Sequence, residues 1–252
     1  MKILMHVSFL GTRYCGYQIQ PNGVTVQQKL NEATKALFGF DCDIVGCSRT
    51  DSGVHANEFC VAVSRKGSPS LETTIPPERI PFAIAPYLPE DISVFRAEAV
   101  EDSFHPRYDV KYKEYVYHIW DQPHRNPFFA DRSWHYPKHL SDEAVEKMDR
   151  AAKLFCGTWD FASYMAADSK ITDSVRTVFE AEVTRKGELV EFRICANGFL
   201  YHMVRILTGT LIAVAEGRLE PEEIPSVTEA RDRRRAGITA PAEGLFLNRV
   251  VY

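Results

Sequence analysis

The segment Lys29-Leu30-Asn31-Glu32-Ala33-Thr34-Lys35-Ala36-Leu37-Phe38-Gly39 is echoed without gaps by Lys147-Met148-Asp149-Arg150-Ala151-Ala152-Lys153-Leu154-Phe155-Cys156-Gly157, with Lys, Ala, Lys and Gly at equivalent places. Each copy reads as an amphipathic helix between an earlier strand-like run and a later pair of them. Two such helices can share residues by chance. If the echo is structural, it limits the chain to two βαββ units whose sheets can join side by side and leave a cleft between them. A chain of 252 residues, 45% of them hydrophobic and 25% charged, is large enough to bury the core of each.

Along its length, the chain begins with a strand at 2–9 and a loop rich in Gly and Tyr, Gly11-Thr12-Arg13-Tyr14-Cys15-Gly16-Tyr17-Gln18. A helix follows over 26–38, ended by Gly39. Asp43-Ile44-Val45 and Phe59-Cys60-Val61-Ala62-Val63 are strand-like, and the Gly and Pro residues of 64–89 mark loops with at most a short helix over 78–84. The second half carries a strand over 111–120 and a helix capped by Ser141 that ends at Cys156-Gly157. Strands over 175–183 and 189–196 turn at Arg185-Lys186-Gly187, and the apolar run 199–215 is a buried helix closed by Gly217. The expected division is into halves 1–103 and 104–252.

Between the first two strand-like runs that follow the first helix lies Gly46-Cys47-Ser48-Arg49-Thr50-Asp51-Ser52-Gly53-Val54-His55-Ala56. Asp51 is the candidate catalytic carboxylate, because a loop at a sheet edge exposes it while the scaffold fixes it. Arg49 stands two residues earlier, so in an extended segment both side chains project to one side. There the guanidinium favours the ionised carboxylate or engages a phosphate. The residues alone leave a plainer account open, in which Asp51 caps turn N–H groups and Arg49 forms a weak loop ion pair.

Several classes are excluded by composition. The six cysteines form no C-x-x-C pair and the eight histidines no H-E-x-x-H arrangement, so neither a metal nor another cofactor is expected. Met1 to Phe9 is too short and interrupted for a signal peptide or a membrane span, which predicts a cytoplasmic protein with no membrane partner. The formal net charge is -4, yet basic residues gather at Lys111 and Lys113, His124-Arg125, Arg205, and Arg231 with Arg233-Arg234-Arg235. That last group is either a solvated helix face or part of a basic cleft. A mildly acidic chain with such a cleft would bind a shaped RNA selectively.

The string at 46–56 resembles the active-site signature of the TruA family of tRNA pseudouridine synthases, G-R-T-D-x-G-V-H-A. Phe104-His105-Pro106-Arg107-Tyr108 and Lys113-Glu114-Tyr115-Val116-Tyr117 are similar to the family's F-x-A-R and K-x-Y-x-Y elements. Gly157 to Tyr164, Ala196 to Arg205 and Thr239 to Leu247 follow in the family's order. The resemblance implies an α+β pseudouridine synthase fold, with two ferredoxin-like (RRM-like) halves, a merged antiparallel sheet and a central basic cleft. It also implies a homodimer that isomerises uridines at tRNA positions 38 to 40, in the anticodon stem-loop, without metal or organic cofactor.

Site roles come from the same resemblance. Asp51 is the catalytic carboxylate, Arg205 its buried basic partner, Tyr115 the ring that stacks on the target uracil, and Leu245 the apolar residue beneath the base. From the residues alone, Tyr115 and Leu245 are equally well explained by packing and Arg205 by the surface. Three residues depart from the family pattern: Ser48 where Gly is usual, Ser52 where Ala is frequent, and Pro106 in place of Ala. Ser48 matters most, since Gly there would allow a left-handed backbone or close RNA approach.

Two other classes compete. Asp51-Ser52-Gly53 matches the D-[ST]-G of aspartic proteases, but these need two carboxylates sharing a proton, and an adjacent Arg would hold the carboxylate ionised. A non-catalytic RRM-like RNA-binding module would carry a K/R-G-F/Y-G/A-F-V-x-F/Y signature, which this sequence lacks.

Overall fold

The computed structural model describes residues 1–167 and 171–252. The chain divides into two compact units, Met1–Lys111 with Leu247–Tyr252, and Tyr112–Phe246. In the first unit β1 (Lys2–Phe9) leads through an irregular loop to α1 (Val26–Phe38), then β2 (Cys42–Gly46), β3 (His55–Arg65), α2 (Ile80–Ile84) and β4 (Ile92–Val100). The ends of α1 are set locally. Thr25 Oγ1 accepts the Gln28 N–H at 3.3 Å, and Gly39 closes the helix at φ 78°. Val26, Leu30 and Ala33, one face of the helix, are buried.

β1 is the central strand of this unit, antiparallel to β3 on one side and β4 on the other, and β2 pairs with β3. Its residues Ile3, Leu4, Met5, His6 and Val7 are all buried, so both of its faces are covered. The sequence pattern shows no strand between the loops ending at Pro89 and the motif at Phe104, where the structure has β4. Its pattern Ile-Ser-Val-Phe-Arg-Ala-Glu alternates only in part, and Arg96 and Glu98 give it the charged composition of an edge strand.

The second unit contains β5 (Tyr112–Trp120), β6 (Trp134–His135), α3 (Asp142–Lys153), β7 (Gly157–Asp160), β8 (Val175–Lys186), β9 (Leu189–Ala196), α4 (Met203–Ala215) and α5 (Ile224–Glu229). Its strands pair antiparallel in the order β5-β9-β8-β7. The short β6 runs parallel to β5, a departure from an all-antiparallel sheet, and the intervening loop is long enough to bring the chain back in the same direction. Ser141 Oγ accepts the Ala144 N–H at 3.2 Å, with Asp142 and Glu143 in the first turn of α3.

Two helix bounds differ from the expectation. α3 ends at Lys153 because Gly157, at φ 114°, has already opened β7. α4 begins at Met203 and not at 199, because His202 sits at φ 61° and Asn197 is tied to β8 by paired bonds with Thr177 of 3.0 and 2.9 Å. Phe199 and Leu200 extend the apolar pattern past the helix. No helix among the described residues is long and apolar enough to cross a membrane.

The echoed segments are α1 and α3, and they occupy equivalent places. In each unit the helix follows a first strand and precedes an antiparallel pair whose second strand returns antiparallel to the first: β1-α1-β2-β3 and β5-α3-β8-β9. The last strand, β10 (Leu245–Val251), brings Leu247–Tyr252 into the first unit beside β3. There Asn57 Nδ2 donates to Asn248 Oδ1 at 2.8 Å.

Candidate active site

Asp51 lies in the connection from β2 to β3, half-buried, with Thr50 buried and Arg49 exposed before it. The Val54 N–H donates to the Asp51 carbonyl at 3.2 Å and Gly53 takes φ 82°, closing a tight turn. Ser48 is not among the residues of positive φ, so the Ser found where the family has Gly requires no strained backbone.

The loop after β1 braces this turn at several points. The Tyr17 N–H donates to the Thr50 carbonyl at 3.2 Å, Ser52 Oγ to the Tyr14 carbonyl at 3.1 Å, and the Gly11 N–H to His55 Nδ1 at 2.9 Å. Close approach of the two loops depends on glycine. A β-carbon on Gly11 would stand 2.0 Å from the Val54 carbonyl oxygen, and one on Gly16, at φ 75°, 2.5 Å from that of Thr50. Beneath them Tyr17 stacks on Phe59 with centroids 4.3 Å apart, and Phe59 meets Phe9 at 5.7 Å. Burial raises the Tyr17 phenol pKa far above its usual value, so the ring acts as a neutral platform. The sequence marks 11–18 only as a Gly/Tyr-rich loop; its spacing of glycines is the one hint that another backbone comes near.

Tyr115, Arg205 and Leu245 belong to the second unit. Tyr115, on β5, is 6% exposed and meets Phe199 edge to face at 4.8 Å and 77°. Arg205 is the one half-exposed residue in Met203–Val214, which are otherwise buried. Its Nε donates to the Ala240 carbonyl at 2.7 Å and its own carbonyl accepts the Ala240 N–H at 3.1 Å. Five residues on, Leu245 is buried. The turn before it is pinned to β5, since Tyr117 Oη donates to the Pro241 carbonyl at 2.7 Å and a β-carbon on Gly244 would lie 2.6 Å from the Tyr117 ring. Arg205 and Leu245 thus sit at the two ends of one braced segment. His202, one turn before Arg205, holds a left-handed backbone that costs a non-glycine residue about 1–2 kcal/mol.

Within the basic group at 231–235, Arg233–Arg235 form a single 3-10 turn. Arg231 pairs with Asp160 at 2.9 Å, and Arg234 grips Asp232 with contacts of 2.7 to 3.1 Å. Arg233 is half-buried and donates to the Gly237 carbonyl at 2.7 Å and Thr239 Oγ1 at 3.1 Å, which supports the segment that Arg205 holds. Arg235 is exposed. Outside the Asp51 loop, His6, Glu58 and Cys60 bring one potential ligand atom each to within 4.8 Å of one another, a grouping that sequence spacing conceals because it spans β1 and β3.

A family model described as tRNA pseudouridine synthase matches residues 5–109 and 151–252, including the Asp51 loop, Arg205 and Leu245. The chain belongs to the tRNA pseudouridine synthase family. It is therefore an enzyme of an isomerase class, and neither the RRM-like binding module nor the aspartic protease needs to be invoked. Tyr115 falls between the two matched segments. Among TruA relatives, tRNA pseudouridine synthase A of Bacillus pumilus is 41% identical over 254 residues, covering 100% of this chain and 99% of the relative. That of Thermoanaerobacter sp. strain X514 is 39% identical over 250 residues, covering 99% of each. That of Bacillus subtilis strain 168 is 39% identical over 254 residues, covering 100% of this chain and 99% of the relative.

Proposed function

We propose that this enzyme isomerises uridine to pseudouridine in the anticodon stem-loop of tRNA, at positions 38 to 40, with Asp51 as its catalytic carboxylate. The reaction breaks the C1'–N1 bond, joins C1' to C5, moves a proton off C5 and leaves one on N1, so it balances with no external oxidant or reductant. Asp51 starts it either by attacking C1' or by removing the C2' proton to form a glycal. Deuterium at C2' separates these routes, because only the second gives a primary isotope effect on cleavage. Tyr115 stacks on the uracil and handles the C5 proton, Leu245 lies beneath the base, Arg205 favours the ionised carboxylate, and Arg49 contacts phosphate or fills the gap left by the extruded nucleotide.

What carries this proposal is the bracing of the Asp51 turn by Gly11, Tyr14, Gly16 and Tyr17, since a catalytic group must be held to a fraction of an ångström. The active species is a homodimer in the cytoplasm. A chain of net charge -4, with Arg231, Arg233 and Arg234 already engaged, has to gather phosphate contacts over a wider surface than its own. Incubating the protein with tRNA transcripts and mapping pseudouridine by carbodiimide-stop sequencing tests the position. Stops confined to 38, 39 or 40 support it; modification elsewhere with those positions untouched overturns it. Sedimentation of the active species as a monomer would overturn the dimer.

A further inference from the structure

We propose that His6, Glu58 and Cys60 form a binding site for a divalent zinc ion, separate from the isomerisation chemistry, that staples β1 to β3. His6 stands directly opposite Cys60 in the β1–β3 register, and Glu58 lies two residues along β3, on the same face of the sheet. His6 Nδ1 is 2.8 Å from Glu58 Oε1 and 3.5 Å from Cys60 Sγ. A tetrahedral zinc ion, with bonds of about 2.3 Å to sulfur and about 2.0–2.1 Å to nitrogen and oxygen, separates its nitrogen and sulfur ligands by about 3.5 Å and its nitrogen and oxygen ligands by about 3.3 Å. The first separation is already present, and the second requires the carboxylate to withdraw by about half an ångström.

The surroundings complete what such a site needs. Glu98 Oε1 lies 3.1 Å from His6 Nε2, so a carboxylate fixes the ring with Nδ1 turned toward Glu58 and Cys60, as outer carboxylates do for zinc-bound imidazoles. The Val250 N–H reaches Glu58 Oε2 at 3.4 Å, which leaves Oε1 on the His6 side. His6 and Cys60 are buried, whereas the Glu58 side chain is 22% exposed, giving an access path from solvent. The ion enters by displacing the thiol proton of Cys60, since only the thiolate is a ligand. The two charges of the ion are then balanced by one thiolate and one carboxylate.

Chelator-treated, reduced full-length protein titrated with Zn²⁺ by calorimetry, and with Co²⁺ by absorption, tests the site. Expected are one equivalent bound with micromolar or tighter affinity, a thiolate-to-cobalt charge-transfer band, a tetrahedral d–d spectrum, and a higher unfolding midpoint with zinc. Cys60→Ser should abolish the charge-transfer band. Glu58→Gln, at a partly exposed position, should weaken zinc at least tenfold with the fold intact, and Glu98→Gln should weaken it 10- to 100-fold. Cys15→Ser should change nothing. Failure to take up one equivalent at about 50 μM Zn²⁺, or a cobalt spectrum that survives Cys60→Ser, overturns the proposal.

Discussion

Gly16 faces the Thr50 carbonyl so closely that a β-carbon on it would stand 2.5 Å from the oxygen, at a backbone φ of 75°. Thr50 immediately precedes Asp51, so this glycine sets how far the Asp51 turn settles onto the loop after β1. Gly16→Ala combines a left-handed alanine with a backbone clash, and the turn must lift. A displacement of about 1 Å at a catalytic group can cost about 100-fold in rate. Single-turnover kcat is expected to fall by about that factor while tRNA affinity changes little; wild-type turnover in the variant would show that the brace does not position Asp51.

Tyr115 is 6% exposed and already packed edge-on against Phe199, so its hydroxyl and its ring can be tested apart. Tyr115→Phe keeps the ring and should bind tRNA nearly normally while turning over slowly or stalling after glycosidic cleavage. Tyr115→Leu should also lose about 1–3 kcal/mol of tRNA binding. Full activity in both variants, measured by pseudouridine yield and filter binding, would reduce Tyr115 to packing.

The arginines at 233 and 235 should separate cleanly. Arg235 is exposed, and Arg235→Gln should lower the salt dependence of tRNA binding by up to about one unit of slope, with the single-turnover rate at saturating tRNA unchanged. Arg233 is bonded to Gly237 and Thr239, so Arg233→Gln should lower the unfolding midpoint and disturb the Arg205–Ala240 pair. An Arg235→Gln slope equal to that of the wild type would place this side chain outside the RNA footprint.

Asp121 contributes to the pH dependence of the second unit. Its carboxylate is fully buried, bound twice by Arg185 at 3.1 and 3.0 Å and once by the Leu140 N–H at 2.9 Å. Burial alone would raise its pKa, but the Arg185 and Leu140 bonds prevail and hold it below the ordinary carboxylate range. A depressed folded pKa gives stability that is present above the unfolded value of about 3.9 and lost as pH falls through the folded one. Asp121→Asn should therefore cost about 3 kcal/mol at neutral pH, a deficit that narrows below about pH 4 in urea titrations. A deficit independent of pH would contradict this.

The parts of the fold that were legible from sequence are those fixed within a few residues. Thr25 and Gly39 bound α1, Ser141 opens α3, and the Asp51 turn is framed by its own glycines and flanking apolar runs. The start of α4 is not legible because Phe199 and Leu200 are apolar whether they lie in a helix or in the turn that the His202 backbone imposes. Long-range partners left no local mark. Nothing near Gly16 names Thr50, nothing near Arg205 names Ala240, and the partial alternation of β4 reads as a strand only once β1 is beside it. The same limit conceals His6, Glu58 and Cys60, which gather only through the β1–β3 register.

The central claim is that Asp51 is the essential carboxylate, and Asp51→Asn tests it most directly because the exchange removes the charge and keeps the size. With fold and tRNA binding verified, kcat for pseudouridine formation should fall to less than about a thousandth of the wild-type value, a barrier increase above roughly 4 kcal/mol. A variant that binds tRNA normally and retains more than about a thousandth of wild-type kcat would contradict the account.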